Sequence, residues 1–586
     1  MRKSLALFLS LAAAGAACAA TPPADLVLEH GTLATLEAKQ PTAQAIAVKG
    51  GRIVAVGSDA DVQPYIGAAT QLIDLKGAFA MPGFIEGHGH FLELGDSLMQ
   101  LDLTQAKDWD EIVAMVKAAV ANAKPGQWII GRGWHQEKWT QAPQPNVDGY
   151  PLHASLDAVS PDNPVMLTHA SGHGVYVNAV VLKMVGIHKG TPDPEGGQIV
   201  KDASGEPVGF LRDNAMDPVH AALNASIKKR GEAANEAYIG RAAAMAAQDA
   251  LKKGITGFVD QGESFAVLDQ LKRLASEGRL PLRLYAQVDP SNEDYGLLAA
   301  GRYRQYPPLE QLKRFLPEHR IVGYDDDHFT VRAVGEVYSD GALGTHTAWF
   351  LKPYDDLPGS SGVSVLPPAD IRAWAEAALA AGYQVTTHAI GDRANREVLD
   401  VYQAVFAAHP RAKDLRWRIE HAQHLDPADI PRFGKLGVIA SMQSIHECSD
   451  APYVVKRLGE ERAKDGAYAW HSIIASGGMV ANGTDVPVED EDPIPNFYCA
   501  VTRRSEKDGV PFHPEQAMTR EEALKSYTWN NAYATFSEDE LGSLKVGKRA
   551  DITVLSQDLL TVPEDKILAT QVLYTIVGGK VLYTKP

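Results

Sequence analysis

Met81-Pro82-Gly83-Phe84-Ile85-Glu86-Gly87-His88-Gly89-His90 is an apolar strand that runs out into two histidines. On an extended chain residues i and i+2 point to the same side. Both imidazoles therefore address one centre, and Gly89 leaves room between them. Neutral imidazole is a common ligand for Zn²⁺ and related ions. One such pair alone is weak evidence, so the rest of the chain has to supply partners.

Seven further short apolar strands follow Phe79–Ile85: Gly257–Asp260, Leu282–Val288, Val331–Tyr338, Gln384–His388, Arg416–His421, Val438–Met442 and Met479–Asn482. Amphipathic helices are expected among them over Ala234–Lys252, Ala369–Ala381, Ala394–His409 and Asp465–Ser476. Strands alternating with helices make a parallel sheet, and eight of them allow a closed (β/α)8 barrel over residues 81–540. The gap after the first strand is too long for a simple connection, so about residues 95–230 form an insertion.

Three more polar residues stand where an apolar strand gives way to a loop: His388, His421 and Asp485. In barrel enzymes those strand ends form the active face. Along Val331–Asp340 the even positions are Arg332, Val334, Glu336, Tyr338 and Asp340, against small or apolar odd positions. That period places Glu336 inside the barrel, where a carboxylate needs a metal or a cation. Arg332 on the same face is the competing partner. In the His421 strand, Arg418 and Glu420 fall on the face opposite His421, where helix packing would prefer apolar groups.

Composition bounds the reading. A chain of 586 residues with 45% hydrophobic and 22% charged residues is globular. Its net charge of −17 disfavours nucleic acid as the main partner. Three Cys exclude a disulfide-rich scaffold. Residues 1–19 read as a secretory signal: Arg2 and Lys3, an apolar run from Leu5 to Ala17, and a cleavage site at Ala17-Cys18-Ala19. A lipoprotein through Cys18 fits less well, because no large aliphatic residue precedes it. Removal of Arg2 and Lys3 takes the charge from −17 to −19 and leaves Cys448 and Cys499, whose pairing stays open. The expected protein is exported to the periplasm, with no membrane contact after signal removal. A homo-oligomer is compatible with the sequence. At both ends, over 20–80 and 541–586, apolar runs flank Gly50-Gly51 and Gly578-Gly579. These hairpins could pair into one split β-sandwich domain.

The motifs MPGFIEGHGH (81–90), GRGW (131–134), SPDNPV (160–165), SDGALG (339–344), THAIGDR (387–393), IEHAQ (419–423), GTDVPV (483–488) and GKRAD (547–551) occur in this order. Together they resemble the amidohydrolase superfamily, and within it the family 3 group similar to N-substituted formamide deformylases. The resemblance implies a metal-dependent barrel with a flanking β-sandwich. His88 and His90 would hold one divalent metal and His388 and His421 a second, with Zn²⁺ favoured and one or two ions per chain. Asp485 would bind metal and handle the proton. Relatives of this kind carry Lys where Glu336 stands; a carboxylate there could bridge two metals directly, or mark a one-metal site. Glu86-Gly87 also replaces the more usual Asp-Ser. The implied reaction is attack of metal-activated water on a C–N bond (amide, N-formyl or cyclic amide) of a small-molecule substrate. The insertion would wall off the site, with Trp134 and His173 as candidate substrate contacts. A non-catalytic metal-binding or regulatory protein, or an esterase or lactonase on the same scaffold, are the alternatives.

Overall fold

The computed structural model describes residues 22–586 except 135, 137–138, 148, 171–173, 195–196, 230, 290–308, 345 and 505–508. The signal reading over 1–19, Cys18 and His173 lie outside the described residues. Eight strands form the barrel: β1 (Phe84–Gly89), β2 (Ile255–Glu263), β3 (Arg283–Val288), β4 (Phe329–Tyr338), β5 (Gln384–Ala389), β6 (Arg418–His421), β7 (Ile439–Met442) and β8 (Met479–Asn482). Each is parallel to the next in chain order. The first and last meet just past their ends, where Asp485 N donates to His88 O (2.7 Å) and His90 N to Val486 O (2.8 Å). The barrel thus closes through the very residues that carry its polar centre. Outward side chains such as Phe84, Ile255, Val331 and Ile419 pack under the surrounding helices in one continuous core, as a parallel sheet covered by helices requires.

Two elements differ from expectation. Phe79–Ile85 is not one strand: Phe79–Pro82 pairs antiparallel with Ile552–Leu555 outside the barrel, and β1 starts at Phe84. Pro82 has no N–H to continue a ladder. A Cβ at Gly83 would lie 2.1 Å from Thr256 Oγ1, so only glycine lets the chain cross at that point. The helix expected over Asp465–Ser476 is two, Glu460–Gly466 and Trp470–Ala475. Between them Tyr468 takes φ +50° and its N–H donates to Gln423 O (2.8 Å), tying the segment to the loop after β6.

Both chain ends build the flanking domain. One sheet orders Arg52–Gly57, Ala45–Lys49, Leu26–Glu29 and Gln71–Asp74. The other runs Lys580–Thr584, Val572–Val577, Ile552–Leu555, Phe79–Pro82, Thr32–Ala34 and Thr42–Ala43. Leu28, Ile46, Val48, Ile552, Val554 and Ile576 fill the space between them. The insertion has its own six-stranded sheet, from Leu101–Asp102 to Pro207–Asp213, with an apolar cluster on each face. Cys448 and Cys499 form a disulfide joining the helices Ser444–Leu458 and Pro493–Thr502. Among the described residues no helix is long and apolar enough to cross a membrane.

Candidate metal centre

His88 is fully buried on β1. Its Nδ1–H donates to Glu420 Oε2 (2.6 Å), which leaves Nε2 as the nitrogen facing Asp485 Oδ1 at 3.3 Å. His90, which starts the loop after β1, brings Nε2 to 3.2 Å from the same oxygen. Asp485 reaches them because the chain leaves β8 in the left-handed region, φ +62°, with its N–H bound to His88 O. Across the barrel, Glu336 Oε1 lies 3.1 Å from His388 Nδ1 and 3.2 Å from His421 Nε2. The Tyr338 hydroxyl donates to Glu336 Oε2 (2.9 Å). His421 Nδ1–H donates to Gln443 Oε1 (2.7 Å), so its Nε2 also faces inward.

All six residues read from the sequence therefore converge. His88, His90 and Asp485 form one group whose ligand atoms lie within 4.8 Å of each other, and His88, Glu336 and His421 form another. His388 joins the second through Glu336. Outer partners fix the tautomers of His88 and His421, as metal-binding imidazoles need. The atoms turned inward are imidazole nitrogens and carboxylate oxygens. Two carboxylates share this buried space with the four rings, and these N/O donors suit a divalent ion such as Zn²⁺, which would displace any proton held between ring and carboxylate. Burial alone would push Glu336 and Asp485 up. The imidazoles beside them, His388 and His421 at Glu336 and His88 and His90 at Asp485, outweigh it and hold both well below the usual carboxylate range. Burial likewise opposes charge on His88, but Asp485 and Glu420 raise it to about 10.

Glu336 does not pair with Arg332. The register of β4 shifts between Val334 and Val337, and the Arg332 guanidinium stacks over Phe536 at 3.5 Å. The face assignment on β6 also reverses. Arg418 and Glu420 point into the barrel. Arg418 holds Glu420 with two bonds (2.7 and 2.8 Å) and reaches Gly87 O on β1 and Ser441 Oγ on β7. His421 meets the same centre because its backbone turns to φ +69°. A strict period of two cannot anticipate that turn.

Sequence reasoning also missed His446, on the first turn of the helix Ser444–Leu458 after β7. Its ligand atom lies within 4.8 Å of those of His421 and Asp485. Burial pushes its ring down to about 4, so it is neutral. A histidine within an ordinary amphipathic helix gives no sequence signal. Arg132, inside the GRGW motif, is a second addition: burial lowers it, while Glu93, Asp485 and Asp96 attract it. The insertion thus reaches the centre electrostatically. Trp134, read as a substrate contact, is instead a fully buried core residue of the insertion. Its indole N–H donates to Leu167 O (2.9 Å) and its ring stacks on Trp139. Gly133, at φ +102°, turns the strand so that Trp134 packs inward.

"Protein LONG AFTER FAR-RED 3" of Arabidopsis thaliana is 35% identical over 96% of this chain and 93% of its own length. "N-substituted formamide deformylase" of Arthrobacter pascens is 27% identical over 96% of this chain and 98% of its own. A crystal structure described as an uncharacterized metal-dependent hydrolase from Pyrococcus horikoshii OT3 superposes with TM-score 0.72 at 26% identity, covering 92% of this chain and 99% of that one. The model of the amidohydrolase family matches residues 71–583, and the chain belongs to that family.

Proposed function

We propose that this chain is an exported hydrolase of amide-type C–N bonds, acting on a small N-acyl or N-formyl amine. The observation that carries the reading is the convergence of four imidazoles and two carboxylates at the C-terminal mouth of the barrel. His88, His90 and Asp485 would hold one divalent ion, and Glu336, His388 and His421 a second. Zn²⁺ suits this donor set. When bound there, a divalent metal supplies Lewis acidity that lowers the pKa of a coordinated water toward about 7 and polarises a carbonyl.

The protein's own groups do the rest. Glu420, braced by Arg418, and Gln443 keep His88 and His421 in the tautomers that face inward. Oδ1 of Asp485 is turned to His88 and His90, and Oδ2 toward His446. Asp485 can therefore take the proton of the attacking water and return it to the leaving nitrogen. The 27% identity to a formamide deformylase supports a formyl or acyl amide as substrate. The Cys448–Cys499 disulfide supports an oxidising compartment such as the periplasm. The test is hydrolysis of a panel of N-formyl and N-acyl amines by metal-loaded protein. Turnover of esters or lactones with none of any amide would replace the C–N reading. Tight metal with no turnover at all would replace the enzyme with a metal-binding protein.

A further inference from the structure

His446 has a polar atom that nothing within the protein uses. Its Nε2 is buried and makes no hydrogen bond, while the Thr484 backbone lies beside the ring and favours a proton on it. Since Nε2 is the unbonded nitrogen, Nδ1–H is the one that faces Thr484, and the Nε2 lone pair looks into the site. The ring lies parallel to that of His421, with centroids 6.2 Å apart, so it cannot turn away without losing that packing. Nε2 stands 4.0 Å from Asp485 Oδ2. That is too long for a hydrogen bond between them, yet one polar atom sits comfortably at about 2.9 Å from both. Asp485 Oδ2 is also the oxygen left over once Oδ1 has turned to His88 and His90.

We infer that the atom this gap receives is the scissile nitrogen of the substrate, and that His446 Nε2 accepts its N–H. This rests on the C–N reading above and goes further, because it names the substrate class: amides whose nitrogen still carries hydrogen. The N–H bond to His446 turns the nitrogen so that its lone pair, freed when the carbonyl becomes tetrahedral, points at Asp485 Oδ2. When the C–N bond breaks, its electron pair goes to nitrogen, and the proton that Asp485 took from water follows it. His446 changes no bond of its own; it fixes the direction from which the proton arrives. Tertiary amides lack the hydrogen and leave the buried acceptor unpaired, a mismatch that sites of this kind discriminate against strongly.

The test compares matched pairs: N-benzylformamide with N-benzyl-N-methylformamide, and acetanilide with N-methylacetanilide. kcat/KM for each is measured on metal-loaded native protein and on His446→Phe, with metal content and melting temperature in parallel. The native protein is expected to favour the N–H member by about tenfold or more. In His446→Phe, which keeps a ring of similar bulk without the acceptor, that ratio is expected to fall to within about threefold at native metal content. His446→Gln, whose carbonyl can accept, is expected to recover part of the ratio. His446→Leu gives the same readout if the phenyl variant does not fold. A preference that survives in His446→Phe or His446→Leu is steric and overturns the inference. So does loss of metal in these variants, which would make His446 a ligand. Turnover with an unchanged ratio refutes this role alone; no turnover of any pair refutes the C–N reading and this role with it.

Discussion

Glu420 offers the sharpest perturbation, because it supports the centre without belonging to it. It is fully buried and accepts three charge-assisted bonds, one from His88 at 2.6 Å and two from Arg418 at 2.7 and 2.8 Å. Glu420→Gln keeps the shape but removes the charge and one acceptor oxygen: with its oxygen in the place of Oε1 His88 loses its partner, and in the place of Oε2 the bond to His88 is no longer charge-assisted. Loss of such an outer partner costs about 10- to 100-fold in metal affinity, or roughly 1.4–2.7 kcal/mol. Stability shifts as well. Burial alone would raise this carboxyl; Arg418 and then His88 overcome it and lower it from 4.5 to about 2. A depressed folded-state pKa gives stability that is complete above about 4.5 and is lost as pH falls toward 2, worth about 3 kcal/mol for so buried a group. The assay is competition for Zn²⁺ against a calibrated chelator, with urea unfolding of metal-free protein between pH 2 and 7. Glu420→Gln should bind Zn²⁺ at least tenfold more weakly and show a shallower acid limb. Affinity within twofold of native would refute the claim that Glu420 sets the His88 tautomer.

Asp485→Asn is expected to retain metal but lose turnover by a factor of about 100 or more, the scale of general acid–base assistance; near-native kcat would remove its proton role. Glu336→Ala should lower the metal stoichiometry measured by elemental analysis, and two ions per chain in the variant would show that Glu336 is not needed between His388 and His421. Burial raises Glu86 from 4.5 to about 8. A raised folded-state pKa on a carboxyl gives stability present below 4.5 and lost as pH rises through 8. Glu86→Gln should therefore flatten the fall of the urea midpoint between pH 4.5 and 8, and an unchanged slope there would count against a neutral Glu86. Trp134→Ala should destabilise the insertion by about 3–5 kcal/mol in chemical unfolding while leaving metal content native; lost metal at a native melting temperature would contradict its place in the core.

The barrel was legible because each strand is a short apolar run and each ligand stands at the end of one. His388, Asp485 and the His88/His90 pair all follow that rule. What escaped the sequence depends on local breaks in period. Pro82-Gly83 divides one apolar run between two sheets. The register shift in β4 separates Arg332 from Glu336. The turn to φ +69° at His421 places two consecutive residues, Glu420 and His421, on the same interior. His446 and Arg132 come from a helix and from the insertion, and only tertiary packing brings them to the centre. Trp134 misled because an aromatic in a conspicuous motif looks like a binding surface, whereas Gly133 turns it into the core.

On the reading proposed above, two clusters of this chain's own side chains would hold the divalent metal on which hydrolysis depends. Stripping the protein with a chelator and returning Zn²⁺ stepwise, while counting bound ions and following release of amine from an N-formyl substrate, tests it most directly. Activity should vanish with the metal and return in proportion to ions bound, saturating at one or two per chain, and the His88→Ala and His421→Ala variants should bind fewer. Full hydrolysis by stripped protein, or native metal binding in both histidine variants, would contradict the claim.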